Sequence, residues 1–142
     1  MRRRPEAPTF FVDRDLGVHF FEALSADDRF KVEFLEHHFD QDTDDAVWLA
    51  HIAAMGWIGV THDKRIKRDH RSIIAYFKAS VIVVVGRKPL AEHAANFVAT
   101  YPRIERFVRD HSGAYVAKLY HPSSAEAAKL KPKGRIELWG EW

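Results

Sequence analysis

Short unbroken apolar runs alternate along this chain with stretches in which apolar residues recur every three or four positions. Thr9-Phe10-Phe11-Val12 is a β-rich run ending at Asp13, and it predicts a first strand. Asp15-Leu16-Gly17 turns the chain, and residues 18–24 predict a short helix with Val18, Phe21 and Leu24 on its buried face. After a loop at residues 25–28, residues 30–35 alternate at first, as a half-exposed strand does. A polar connection at 40–43 leads into a helical pattern over 44–55, with Val47, Trp48, Ile52 and Met55 inward and Gly56 as its C-cap. Residues 57–61 predict a buried strand that runs through His62 to Asp63. A helix over 69–78 follows, with Ile73, Ile74 and Phe77 inward, then a buried strand over 81–85 closed by Gly86. Pro89 suits the first turn of a helix carrying Leu90, Ala94, Phe97 and Val98. Pro102 breaks that pattern, and Ile104, Phe107 and Val108 resume it. Residues 113–120 predict a last sheet strand, and 122–134 a polar, Lys-rich linker. Residues 136–139 could add a terminal strand or dock on another surface.

Continuous apolar strands separated by helices predict an α/β fold with a central, mostly parallel sheet covered by helices on both faces. At about 100–200 residues per domain, the 142 residues make one domain. Hydrophobic residues at 46% and charged residues at 30% exclude wholesale disorder and collagen-like order. The absence of cysteine excludes disulfides, thiolate zinc sites, iron–sulfur clusters and a thiol nucleophile. The longest apolar run, residues 81–85, is far short of the roughly 18 a membrane span needs, so no membrane association is expected. Arg2-Arg3-Arg4 has no apolar segment behind it, so no secretory signal is expected and the cytoplasm is the default location. Neither a GxGxxG nor a GxxxxGK[ST] phosphate loop is present.

The net charge of +2 says little, but its distribution says more. Basic blocks lie at residues 2–4, at Lys64, Arg65, Lys67, Arg68 and Arg71, and at Lys129, Lys131, Lys133 and Arg135; acid concentrates at Asp40, Asp42, Asp44 and Asp45. A carboxylate patch beside basic stretches suits a metal site that receives a phosphate backbone. The simpler reading of the charges alone is a solvated surface of mixed sign.

Two predicted strands end in aspartate, at Asp13 and Asp63. Ligands of open parallel sheets bind beyond the carboxyl ends of the strands, so neighbouring strands would bring both acids to one crevice. Asp44 or Asp45, in the first turn of the helix before the second of these strands, supplies a third. Crowded carboxylates repel unless a cation neutralises them, and Mg²⁺ and Mn²⁺ take oxygen ligands of this kind. Asp44 and Asp45 equally suit a helix N-terminus, and Asp15 suits capping of the short helix after the first strand.

Three segments together resemble the PIN-like ribonuclease domains, in particular the small stand-alone group related to toxins of type II toxin–antitoxin modules. They are Phe10-Phe11-Val12-Asp13-Arg14-Asp15-Leu16, Asp45-Ala46-Val47-Trp48-Leu49-Ala50, and residues 56–66 with Thr61-His62-Asp63 at their centre. The resemblance spans roughly residues 9–120. It implies a three-layer PIN-like domain over 9–121, with a flexible basic tail at 1–8 and a Lys-rich linker and C-terminal segment at 122–142. It implies one or two Mg²⁺ or Mn²⁺ ions and hydrolysis of single-stranded RNA. Asp13, Asp45 and Asp63 match the family's catalytic, metal-holding acids, and Thr61 matches the hydroxyl residue of its T-x-D motif. Larger members show four acids; the fourth here could be Asp44 or Asp15, or absent. Lys64, Arg65, Lys67 and Arg68 follow Asp63 closely enough to grip an RNA backbone. An antitoxin partner and a homodimer are also expected from the resemblance, and Trp139 and Trp142 could serve either contact or pack on their own chain.

Three other readings compete. Asp13-Arg14-Asp15 has the D-x-D form of haloacid-dehalogenase phosphatases, but those enzymes need an acidic pair after a third strand, where this chain has Gly86-Arg87-Lys88. His62-Asp63 matches the doublet of helical metal phosphohydrolases, yet here it ends a strand. A catalytically inactive PIN-like module that binds RNA or protein is the alternative outside enzymes.

Overall fold

The computed structural model describes residues 7–142; the three arginines at 2–4, and most of the tail expected at 1–8, lie outside them. Six strands form one sheet in the order β2-β1-β3-β4-β5-β6. They are β1 (Thr9–Val12), β2 (Lys31–Phe34), β3 (Ile58–Thr61), β4 (Ser80–Val84), β5 (Tyr115–Tyr120) and β6 (Arg135–Glu141). The first five run parallel, and β6 pairs antiparallel with β5. The segment expected either to add a strand or to dock elsewhere therefore forms one of the sheet's two edge strands. No described helix is long and apolar enough to cross a membrane.

Side chains of a strand alternate between its two faces, and here both faces are covered. Phe10, Val12, Ile82 and Val84 enter one core with Phe20, Leu24, Phe97 and Ile104. Those four come from α1 (Gly17–Ser25), α4 (Leu90–Ala99) and α5 (Tyr101–Asp110). Phe11, Val81 and Val83 enter the other core with Trp48, Leu49, Ile52, Ile66 and Ile74. These belong to α2 (Asp45–Met55) and α3 (Ile66–Phe77). Burial on both sides is why β1, β3 and β4 read as continuous apolar runs.

The helices sit where expected, but three turn differently about their axes. In α1 Phe20 and Leu24 point inward and Val18 is exposed. In α2 the buried set is Trp48, Leu49 and Ile52, with Val47 and Met55 in water. Helix α3 begins at Ile66, three residues before the expected start, and leaves Phe77 exposed while burying Ile66 and Ile74. In each case apolar residues lie on more than one flank, and the sheet selects the flank that packs deepest. Gly56 closes α2 in the left-handed conformation (φ 71°), as a C-cap glycine does. The Lys-rich linker carries one short helix, α6 (Ser124–Ala127).

A buried polar seam fixes the last strand. Gly134 N–H donates to Thr100 Oγ1 at 2.8 Å. The Thr100 hydroxyl donates to Asn96 Oδ1 at 3.1 Å, and Asn96 Nδ2–H to Tyr120 O at 3.2 Å. Backbone approaches backbone so closely here that a Cβ on Gly134 would lie 2.1 Å from Tyr120 O.

Candidate active site

Because β2 and β3 lie on opposite sides of β1, the chain reverses its direction of travel across the sheet at β1. Such a reversal leaves an open crevice beyond the strand ends, between β1 and β3. Asp13 follows β1, Thr61 closes β3, and Asp13 N–H donates to Val60 O at 2.9 Å, tying the two ends together. Asp13 Oδ1 accepts the Arg14 N–H at 2.7 Å, and Oδ2 accepts the Thr61 hydroxyl at 2.8 Å. A single 3₁₀ turn at Arg14–Leu16 then swings Asp15 back toward β3. Asp15 Oδ2 lies 3.1 Å from the same Thr61 hydroxyl, and its carboxylate accepts the His62 N–H at 3.1–3.2 Å. The Asp63 N–H donates to Thr61 Oγ1 at 3.1 Å. Asp15 therefore does not cap α1, whose N-cap position is Leu16 without a side-chain bond.

A hydroxyl has one proton to donate, so Thr61 satisfies only one of the two carboxylates at a time. Burial, and then repulsion from Asp15, pushes the Asp13 carboxyl from 3.8 up to about 7, against the opposing hydrogen bonds from Thr61 and Arg14. Asp45 adds a smaller repulsion. Burial also raises Asp15, with the His62 N–H and the Thr61 hydroxyl opposing and Asp63 contributing a minor repulsion.

Asp45 and Asp63 flank this pair and hold partners of their own. Asp45 Oδ1 accepts the Trp48 Nε1–H at 2.9 Å, and Oδ2 is 3.0 Å from His70 Nε2. His70 stands at a kink in α3 (φ −126°, ψ 20°), and Trp48 stacks on Phe11 of β1 with centroids 5.9 Å apart. Asp63 Oδ1 accepts from Arg65 N–H at 2.9 Å and from Arg65 Nε at 3.3 Å. Asp44 is the N-cap residue of α2, exposed and without a side-chain capping bond. Among the described residues, no three His, Asp or Glu side chains are gathered closely enough to hold one metal ion. The structure thus joins Asp13, Asp15 and Thr61 directly. It brings Asp45 and Asp63 within electrostatic reach without joining them to the cluster.

The donor chemistry nonetheless fits a hard divalent cation. Every acid offers oxygen, and the Asp13–Asp15 repulsion is the kind that a cation relieves. Lys64, Arg65, Lys67, Arg68 and Arg71 line a cavity of about 710 Å³ that begins next to Asp63.

Several neighbours are not evident from the sequence. His70 and Trp48 fix both oxygens of Asp45, though only their spacing on adjacent helices hints at it. Three imidazoles also pack at a tilt against one another at this sheet edge: His62–His93 at 5.0 Å and His93–His121 at 4.7 Å between centroids. His93 is fully buried; Nε2–H donates to Gly86 O (3.1 Å), which leaves Nδ1 to accept from His121 Nε2–H (2.8 Å). Burial, with His121 and His62 adding, holds His93 below the usual histidine range.

An open α/β sheet with acids at the β1–β3 crevice is the architecture of a PIN-like domain, and a profile of the family described as "PIN like domain" matches residues 8–88. The chain belongs to that family. Over 120 residues it is 32% identical to the Mycobacterium tuberculosis protein named "Putative ribonuclease VapC45", an alignment covering 80% of this chain and 86% of that one. No solved structure matches the chain.

Proposed function

We propose that this chain is a metal-dependent endoribonuclease that cuts single-stranded RNA, and that it is the toxin of a toxin–antitoxin module. The observation that carries the reading is the Asp13–Thr61–Asp15 contact at the β1–β3 crevice. Asp13, Asp45 and Asp63 would hold Mg²⁺ or Mn²⁺, and Asp15 takes the fourth place in preference to Asp44 because it already shares the Thr61 hydroxyl. A bound cation would supply charge stabilisation at the phosphate oxygens and activation of the attacking water. Thr61 orients the two carboxylates, while Trp48 and His70 hold Asp45 at the rim until it is drawn in. Lys64, Arg65, Lys67 and Arg68 bind the RNA backbone. The likeness to a protein named as a VapC supports a cytoplasmic setting and an antitoxin partner; a homodimer belongs to the same reading. A haloacid-dehalogenase chemistry lacks its second acidic pair, since β4 leads into Gly86-Arg87-Lys88.

One observation favours a second reading, an inactive module that binds RNA or protein: Asp45 and Asp63 are engaged with side chains outside the cluster. Cleavage of a panel of single-stranded RNAs with Mn²⁺, with Mg²⁺ and with EDTA separates the two. The nuclease reading expects metal-dependent cleavage that Asp13→Asn and Asp63→Asn each reduce at least a hundredfold. It also expects Mn²⁺ to raise the thermal midpoint of the native protein and not of Asp13→Asn. A folded native protein that does not cleave would favour the binding module or a nuclease that needs a structured target, and its response to Mn²⁺ separates those two.

A further inference from the structure

We propose that the groove between α3 and β6 carries the phosphodiester backbone of single-stranded RNA onward from the acids and anchors it at its far end on a pair of lysines, Lys67 and Lys118, held on Trp139. The proposal rests on the ribonuclease reading and says where the strand goes once it leaves the acids. Lys67 Nζ lies 4.7 Å from the centroid of the Trp139 ring, and Lys118 Nζ lies 3.8 Å from it. Lys67 also donates to Trp139 O at 3.1 Å. Two ammonium groups gathered on one indole repel each other. The ring's negative face offsets part of that repulsion, and an anion bridging them removes the rest.

The sequence makes room for this arrangement. Gly140 lies beneath the Lys67 stem: a Cβ there would come within 2.9 Å of Lys67 Cε and 3.0 Å of the Trp142 ring. A side chain at this position would force the Lys67 tail or the Trp142 ring to shift. The neighbouring cations are only partly neutralised. Arg65 pairs with Asp63 and Arg68 with Asp69. Among the described residues no carboxylate forms an ion pair with Lys64, Lys67, Arg71 or Lys118. The cavity of about 710 Å³ that Lys64, Lys67, Arg71 and Trp139 help to line falls in the range of about 300–1,000 Å³ typical of ligand sites.

The occupant is read from the course of the charge. Lys64 stands next to Asp63 at the reaction crevice. Lys67 and Arg71 line the same cavity from either side of the kink at His70, and Lys118, on the Trp139 ring with Lys67, continues the track onto the sheet. A strand that must pass through the crevice has to leave it along some path, and this path is cationic from its first residue. An acidic protein segment has no need to be continuous with the acids.

The test is fluorescence anisotropy of a labelled 12-nucleotide single-stranded RNA in EDTA, so that nothing is cut, over a range of salt. A single-strand phosphate contact contributes a slope of about 0.7 in log K against log salt, or about fivefold in affinity at 0.1 M. Lys118→Gln is expected to weaken binding about fivefold and to lower the slope by about 0.7. Trp139→Leu, which releases both lysines, is expected to weaken it tenfold or more. Lys118→Arg and Trp139→Phe restore most of the loss, which a merely structural defect would not allow. With Mn²⁺ present, Lys118→Gln and Trp139→Leu raise KM for the same strand more than they lower kcat. Affinities within twofold of the native protein for both, in variants of native thermal midpoint, overturn the groove and leave the ribonuclease reading standing. So does a loss confined to an acidic probe, a 12-residue polyglutamate, which would mark the groove as a protein-docking surface. A native protein that neither binds nor cleaves RNA overturns both readings together.

Discussion

Replacing Gly59 by alanine tests how closely the sheet is coupled to Asp45. Gly59 lies in the middle of β3, under α2. A Cβ there would stand 2.9 Å from Ile52 Cδ1, 3.2 Å from Trp48 Cζ3 and 3.6 Å from Val81 Cγ2. Overpacking a closed core costs about 1–3 kcal/mol, and losing glycine's extra backbone freedom returns about 0.5–1 kcal/mol. The net loss is therefore centred on about 1 kcal/mol, within about 0–2.5 kcal/mol, read as a lower urea midpoint with an unchanged slope. Trp48 has little room to retreat, because its ring stacks on Phe11. Its displacement moves Nε1 and so the carboxylate of Asp45, which it holds at 2.9 Å. Activity should fall further than stability explains, with loss persisting at temperatures where the variant is fully folded. Adding Ile52→Val, which removes the Cδ1 methyl, should recover stability relative to the sum of the two single changes. A Gly59→Ala protein more stable than the native one, or additivity with Ile52→Val, would refute the claim that α2 rests directly on this glycine.

Thr100→Val removes the acceptor of the buried Gly134 N–H and the donor to Asn96. It should cost about 1–3 kcal/mol in denaturant unfolding, and amide exchange should quicken first at the 133–135 backbone. His93 should titrate below the usual 6.5 in an NMR pH series. Its folded-state pKa is depressed, so the unfolded chain binds the proton more readily. Stability from this residue is complete above about pH 6.5 and is lost as pH falls below that value. His121, also lowered chiefly by burial, acts in the same direction. A His93 resonance that titrates at or above about 6.5 would contradict that sign; the thermal midpoint is no substitute, because Asp13, raised to about 7, adds stability as pH falls through the same range.

The strands and their terminal acids were legible because local pattern and chemistry coincide there. Phe10-Phe11-Val12 and Ile58-Gly59-Val60 are apolar on both faces, and each ends beside a group no core can use without reason. The rotation of the helices was not legible. Gly17-Val18-His19-Phe20-Phe21-Glu22 offers apolar residues on adjoining flanks, and only the sheet decides that Phe20 goes in. The start of α3 was hidden by Lys67, Arg68, Asp69, His70 and Arg71, polar residues that a helix tolerates on its wet side. Sequence alone leaves Asp15 open between a helix cap and a fourth acid, because capping is local whereas its contact with Thr61 spans 46 positions. The His70–Asp45 pair spans 25 positions and depends on a kink that no residue type announces.

The placement of β6 bears on how such a chain can diversify. Asp13, Asp15, Asp45, Thr61 and Asp63 all lie within residues 8–88, the part the family profile matches. Lys118 and Trp139 lie beyond it, on β5 and the edge strand β6. A strand laid antiparallel on the rim of a parallel sheet needs no crossover helix. Its outward-facing residues can change without rewiring the five strands inside it, provided the Gly134–Thr100–Asn96 seam that fixes it is kept. The cutting chemistry can therefore be inherited intact while the rim is refitted to whichever molecule each descendant has to hold.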